Sequence, residues 1–228
     1  MPQDFFQFKQ FTVRQGRCAM KVSTEACVLG GLCAQEAAAP ARILDIGAGT
    51  GLLSLMLAQA FPQAAIEAVE VEAAAFIQCQ ENFAESSWVH RLQVYPMDIK
   101  DFRPAQDYDF IISNPPFYEK HLPSTKAARQ IALHTDTLSF EVLADALAAL
   151  LAPQGQAAVL LPVSATASFG SLAIKPFRVV SFWGKQPAPW QERHFFFKNQ
   201  TNNDYSTDFK ALLKDYYLYL DASPSSSL

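Results

Sequence analysis

The chain has 228 residues, with 18 Lys and Arg against 22 Asp and Glu, so its formal net charge is −4 with His neutral. Half of the residues are apolar and 18% are charged, which excludes a disordered chain and suits one sizeable domain that needs no disulfide staples. No apolar run reaches the roughly 18–20 residues of a membrane span, and the opening MPQDFFQFKQ lacks the basic-then-apolar layout of a signal peptide.

Residues 5–13, FFQFKQFTV, read as a strand or hairpin, and 22–36 as a helix opened by Ser23-Thr24-Glu25. After the AAAPA linker at 37–41 the pattern becomes regular. Strands are expected at 41–46, 65–71, 92–97, 108–113 and 157–162, and helices at 52–61, 73–83 and 140–151. Two aromatic strands, 177–183 and 194–197, read as an antiparallel pair closing one sheet edge, and 207–220 as a last helix. Strands alternating with helices argue βαβ units around a parallel sheet buried on both faces. The expected fold class is therefore α/β: a Rossmann-like, doubly wound, mostly parallel seven-stranded sheet with an antiparallel C-terminal strand pair and a small N-terminal extension. The expected division is 1–36 as that extension, 37–220 as the catalytic domain and 221–228, rich in Ser, as a disordered tail.

The four cysteines, Cys18, Cys27, Cys33 and Cys79, form no CxxC pair, and their spacing fits neither a zinc site nor a disulfide framework. A reduced cytoplasmic protein without a metal is expected. His90, His121, His134 and His194 are scattered without ligand spacing, and no Gly-x-Ser-x-Gly elbow supports a serine nucleophile. Charge is uneven. Residues 1–21 carry Lys9, Arg14, Arg17 and Lys21 against Asp4, while 22–115 carry four basic and twelve acidic residues. Two further basic stretches, 116–135 and 171–200, include Lys120, Lys126, Arg129, Lys175, Arg178 and Arg193. Converging on one face, these stretches would hold a phosphate backbone; left apart, they are solvated loop charges.

Leu44-Asp45-Ile46-Gly47-Ala48-Gly49-Thr50-Gly51 joins the first strand and helix of the regular run. Glycines there permit a tight turn and close approach of a ligand to the main chain. The dinucleotide fingerprint fails, because its sixth position from Gly47 is Leu52, and no Gly-Lys-Ser/Thr follows for a phosphate loop. Asp45 would repel a pyrophosphate and attract a cationic amine, which favours S-adenosyl-L-methionine. Glu70, 25 residues after Asp45, can accept the ribose hydroxyls, with Glu72 an alternative that alternation along a strand does not separate. Asp98, after the third strand of the run, can accept from the adenine amine.

Ser113-Asn114-Pro115-Pro116-Phe117 leaves the end of a continuously apolar strand, where open α/β sheets bind ligands. The prolines stiffen the corner and free their carbonyls from competing N–H groups. Asn114 and the Pro115 carbonyl offer two acceptors for the two hydrogens of a planar –NH2, and Phe117 can stack on the ring that bears it. Such a pair directs the nitrogen lone pair at a methyl sulfonium by alignment, with little acid–base chemistry.

The pairing of LDIGAGTG with SNPPF, 69 residues apart from Asp45 to Asn114, resembles the class I S-adenosylmethionine-dependent methyltransferases that act on exocyclic amines. The N-terminal FKQFTVRQGRCAMKVSTEACVLGG and the C-terminal YSTDFKALLKDYYLYL resemble the bacterial tRNA1(Val) (adenine-37-N6)-methyltransferase family. Ser23-Thr24-Glu25 stands where that family would have Gly-Thr-Asp. The resemblance implies N6-methylation of a tRNA adenine turned out of the anticodon arm, by a monomer. Asn114, Pro115, Pro116 and Phe117 would be catalytic. Asp45, Gly47, Ala48, Gly49, Thr50, Gly51, Glu70, Asp98 and Asn114 would hold the cofactor, with Lys21 and Thr24 lying over its pocket. Apart from the resemblance, His121 and Arg129, just beyond the catalytic loop, are candidates to touch substrate phosphate; Trp190 is the better candidate to stack on RNA, while Phe5, Phe6, Phe8 and Phe11 read first as core or edge-strand filler. The alternatives are a protein glutamine, a DNA adenine or a ribosomal guanine as acceptor, or a noncatalytic cofactor- or RNA-binding module.

Overall fold

A computed structural model describes residues 4–115, 138–162, 178–184 and 204–218. An antiparallel hairpin opens the chain, β1 (Phe5–Gln7) with β2 (Thr12–Arg14). Then come α1 (Thr24–Glu36), β3 (Arg42–Ile46), α2 (Leu52–Ala60), β4 (Ala65–Val69) and α3 (Ala73–Glu85). β5 (Leu92–Tyr95) lies between two single 3-10 turns, and β6 (Tyr108–Ser113) follows. The described part closes with α4 (Phe140–Leu150), β7 (Leu151–Pro162), β8 (Arg178–Gly184) and α5 (Thr207–Leu213).

The main sheet has the order β5-β4-β3-β6-β7-β8, parallel except for β8, which runs antiparallel to β7. From β3 the chain winds outward to β4 and β5, then returns to lay β6 on the other flank of β3. This reversal creates the switch point at which open sheets bind ligands. Six strands are thus described. The seventh, expected at 194–197, lies outside the described residues, as do most of the basic stretches 116–135 and 171–200 and the tail.

Both sheet faces are covered, which is why β6 reads as a continuous apolar run: Phe110, Ile111 and Ile112 are all at most 1% exposed. On one face, Ile43, Phe110 and Ile112 pack with α1, α2, α3 and α5; on the other, Leu44, Ile46, Ile111 and Val159 pack under α4. Ser23, Ser139 and Ser206 cap α1, α4 and α5 by accepting from main-chain N–H groups at 3.2, 3.3 and 3.0 Å. The hairpin docks on the first face. Phe8 and Phe11 are buried and stacked with centroids 4.5 Å apart, and Phe11 meets Trp88 edge-on at 5.7 Å.

Several element boundaries differ from the sequence expectation, four of them by enough to change a reading. β7 starts at Leu151, directly after α4, instead of at 157; Gly155 is needed because a Cβ there would stand 2.8 Å from the Tyr108 carbonyl oxygen. α5 stops at Leu213 instead of 220. β5 stops at Tyr95 instead of 97, so Asp98 caps a 3-10 turn. β4 stops at Val69 instead of 71, which removes the strand alternation that had put Glu70 and Glu72 on one face.

Candidate functional site

Parallel pairing of β3 with β6 sets Ile46 beside Ser113, and the Ser113 hydroxyl donates to the Ile46 carbonyl at 2.8 Å. Gly47 and Asn114 therefore leave adjacent strands side by side, at the strand spacing of roughly 4.8 Å. Asn114 is half-buried and Pro115 buried. Pro116, Phe117, His121, Arg129 and Trp190 lie outside the described residues.

The glycine loop bends back onto β4. The N–H groups of Gly47 and Ala48 both donate to the Val69 carbonyl, at 2.9 and 3.2 Å, and that of Gly51 closes a turn on Ala48 at 2.8 Å. Gly47, Gly49 and Gly51 have φ of +74°, +56° and +78°, a region that costs other residues about 1–2 kcal/mol. The three differ in surroundings. A Cβ at Gly47 or Gly49 would meet nothing within 4 Å, whereas at Gly51 it would lie 2.7 Å from the Phe83 ring and 2.9 Å from the Cys79 sulfur. The first two glycines border open space; the third lets α2 start against α3.

Asp45 is 1% exposed. Its Oδ2 accepts from the Ser54 hydroxyl at 2.7 Å and the Ser54 N–H at 3.2 Å, which anchors the first turn of α2 beneath the loop. Burial pushes this carboxyl up to about 7, against the opposing Ser54 bonds. Glu70 is 8% exposed; Oε2 accepts from Gly49 N–H at 2.7 Å and Oε1 from Glu72 N–H at 2.9 Å. Burial raises its pKa too, opposed by those N–H groups. Glu72 has a different task. Its two oxygens accept from Ala74 and Ala75 N–H at 3.0 and 2.6 Å and cap α3. The structure thus separates the two acids: Glu70 belongs to the loop and Glu72 to the helix.

Asp98 accepts from the Lys100 N–H at 2.9 Å and pairs with its ammonium at 3.1 Å. Thr50 is buried, and its carbonyl accepts from Asn82 at 2.8 Å. Lys21 is exposed and its ammonium donates to the Gln15 carbonyl; Thr24 is half-buried at the start of α1. Sequence reasoning missed Ser54 and Asn82 and gave Ser113 no role of its own; all three are polar residues buried to 0–1% that fix the loop and strand ends. It also missed Val71, which is 64% exposed between Glu70 and Glu72; an apolar residue held open between two acids at a strand end is a signal of a ligand surface. Cys18 is pushed up to about 11, chiefly by burial with Glu70 and Glu72 adding, so its thiol stays protonated.

Two of the four basic residues of the N-terminal stretch are engaged with acids. Arg14 pairs with Glu85 at 2.9 Å, and Arg17 pairs with Glu81. Asp45, Glu70, Glu72 and Asp98 make the strand ends acidic, which suits a cationic ligand and disfavours a polyphosphate. Among the described residues no group of three or more His, Cys, Asp or Glu could hold a metal ion, and no helix is long and apolar enough to cross a membrane.

The methyltransferase small domain family matches residues 31–138, which include the glycine loop and the Asn-Pro-Pro-Phe corner. A tRNA1(Val) (adenine(37)-N6)-methyltransferase of Dyadobacter fermentans is 48% identical over 168 residues, covering 74% of this chain and 69% of its own. The enzyme of the same name in Tolumonas auensis is 39% identical over 236 residues, covering 95% and 98%. Among solved structures, the CcbJ methyltransferase of Streptomyces caelestis is similar over 63% of this chain and 51% of its own, with 18% identity and a TM-score of 0.45.

Proposed function

Because this chain belongs to the tRNA1(Val) (adenine(37)-N6)-methyltransferase family, we propose that it methylates N6 of adenine 37 in tRNA1(Val), using S-adenosyl-L-methionine. The observation that carries this reading is the pairing of Ile46 with Ser113, which brings the glycine loop and Asn114 together at the switch point of the sheet.

The residues fit the cofactor. Gly47 and Gly49 border open space where any Cβ would intrude. Glu70 uses one acceptor site on each oxygen for main-chain N–H groups, and an ionised carboxylate has about four such sites, so it can still receive the ribose hydroxyls. Val71 offers an apolar face to the adenine, with Asp98 as acceptor for its amine. Asp45 acts chiefly through the loop: it holds α2 by Ser54 and lends negative potential on the side of the methionine amine. By the family resemblance, Lys21 and Thr24 lie over the same pocket. When bound, the cofactor supplies a methyl group activated by a sulfonium.

What the protein supplies is alignment. The target adenine is turned out of its stack, as enzymes acting on bases require. Asn114 Oδ1 and the Pro115 carbonyl accept its two N6 hydrogens, which lets the nitrogen pyramidalise and present its lone pair. Pro116 stiffens the corner, and Phe117 stacks on the base, an interaction of roughly 1–3 kcal/mol. The proton lost from the methylated nitrogen passes to water, because no general base of matched pKa is required at a nitrogen that becomes cationic. On this reading the protein works in the cytoplasm as a monomer on the anticodon arm, with the basic stretches 116–135 and 171–200 against the phosphates.

The test uses purified protein, radiolabelled S-adenosylmethionine and two tRNA1(Val) transcripts, one natural and one with guanine at position 37. The natural transcript should gain one N6-methyladenosine and the altered one none. Equal labelling of both, or of neither, would overturn the reading.

A further inference from the structure

Asn82 lies on α3, 1% exposed, and makes three hydrogen bonds, none within its own helix. Its Oδ1 accepts from the Arg14 N–H at 2.9 Å. Its Nδ2 donates to the Arg14 carbonyl and to the Thr50 carbonyl, both at 2.8 Å. One side chain therefore pairs with both main-chain groups of a β2 residue and also grips the glycine loop between Gly49 and Gly51. The amide orientation follows from the partners, since reversing it would set the –NH2 against the Arg14 N–H and the oxygen against two carbonyls.

The other polar ties between hairpin and α3 are weaker. Arg14 with Glu85 and Arg17 with Glu81 have side chains 41–56% exposed, and exposed pairs contribute little. Gln78 accepts from the Arg17 N–H at a long 3.3 Å. From Arg14 the chain continues through Gln15, whose side chain accepts from the Val22 N–H at 2.8 Å, to the Ser23 cap of α1. Residues 14–24 thus form a strap that passes from the hairpin to α1, and Asn82 is the buried fastening between that strap and the loop.

We propose that Asn82 is a positioning residue for S-adenosylmethionine: it couples docking of the N-terminal hairpin to the conformation of the glycine loop, so that each stabilises the other. The inference rests on the reading that this loop holds the cofactor. Coupling of this kind is reciprocal. Loss of the fastening weakens cofactor binding, and cofactor binding in turn secures the hairpin. The reacting groups at Asn114 and Pro115 are untouched, so the effect falls on affinity and not on turnover at saturation.

The experiment is calorimetric titration of the full chain with S-adenosylhomocysteine, alongside steady-state kinetics. Asn82→Ala removes all three bonds. Asn82→Asp keeps the acceptor for Arg14 and loses both donors. Arg14→Ala removes the Glu85 pair and keeps the main-chain bonds. Both Asn82 variants should weaken binding by about tenfold or more, with kcat at saturating cofactor within about threefold of wild type, and Arg14→Ala should stay within about twofold. A folded Asn82→Ala that binds like wild type overturns the inference. If neither Asn82 variant folds, hydrogen exchange of the wild type decides: S-adenosylhomocysteine should slow exchange at the Arg14 amide more than at α4 amides on the opposite sheet face, and equal slowing overturns it. Wild-type protein that does not bind S-adenosylhomocysteine would instead defeat the reading of the loop, and this inference with it.

Discussion

At Glu72 each carboxylate oxygen accepts an N–H of the first turn of α3, whereas at Glu70 one oxygen accepts from Gly49 in the loop and the other from the Glu72 N–H. The consequence is a division of effects between neighbours. Glu70→Gln should weaken S-adenosylhomocysteine binding by about tenfold or more, because an amide offers one acceptor oxygen where two were used and turns a donor toward another N–H. Glu72→Ala should cost about 1 kcal/mol of stability, the usual loss of a helix cap, and change affinity by less than about threefold. Titration calorimetry and thermal melts of the two variants separate these outcomes, and the reverse pattern would reassign the ribose to Glu72. The acid pair was legible in the sequence but its division of labour was not, since that depends on β4 ending at Val69 and α3 starting at Ala73. Asp45 shows the same limit. Its spacing from the glycines marked it as part of the site; its 1% exposure and its bonds to Ser54 make its action indirect.

The loop and α2 form one element, and its three glycines serve two purposes. Gly51 must be glycine for φ and for contact with Phe83 and Cys79; Gly47 must be glycine for φ and for the open space beside it. Gly47→Ala should cost about 1–2 kcal/mol and impair cofactor binding, because its methyl enters the cradle. Gly51→Ala adds overlap with a buried ring and should melt several degrees below Gly47→Ala. Equal melting temperatures would contradict the packing role given to Gly51. The helix starts and the parallel run could be read from caps and periodicity, Ser23 and the apolar 110–112 segment being the clearest signals. The early start of β7 could not, because Pro153 and Gly155 carry a turn signature and the need for glycine arises only when Tyr108 lies alongside.

Across the whole molecule, strand order does what sequence distance hides. Asp45 and Asn114 lie 69 residues apart, yet β3 and β6 are neighbours, in a register that sets Ile46 against Ser113. Charge is redistributed by the same folding. The basic excess of residues 1–21 is offset where Arg14 and Arg17 meet Glu85 and Glu81, so phosphate binding on the proposed reading falls to the two later basic stretches. The glycine loop and the Asn-Pro-Pro-Phe corner were each visible in the sequence with their chemistry, because both are local motifs. Asn82 was not, since a single asparagine in a helical pattern gives no hint that it joins a hairpin to a loop across 68 and 32 residues.

The central claim is that the acceptors at Asn114 and Pro115 align an amine beside a cofactor held by the glycine loop. Its most direct measurement is kcat for tRNA1(Val) methylation by Asn114→Ala, with S-adenosylhomocysteine affinity determined on the same preparation. The account predicts a fall in kcat of about 100-fold or more with affinity within about threefold of wild type. Turnover within about threefold of wild type would contradict it.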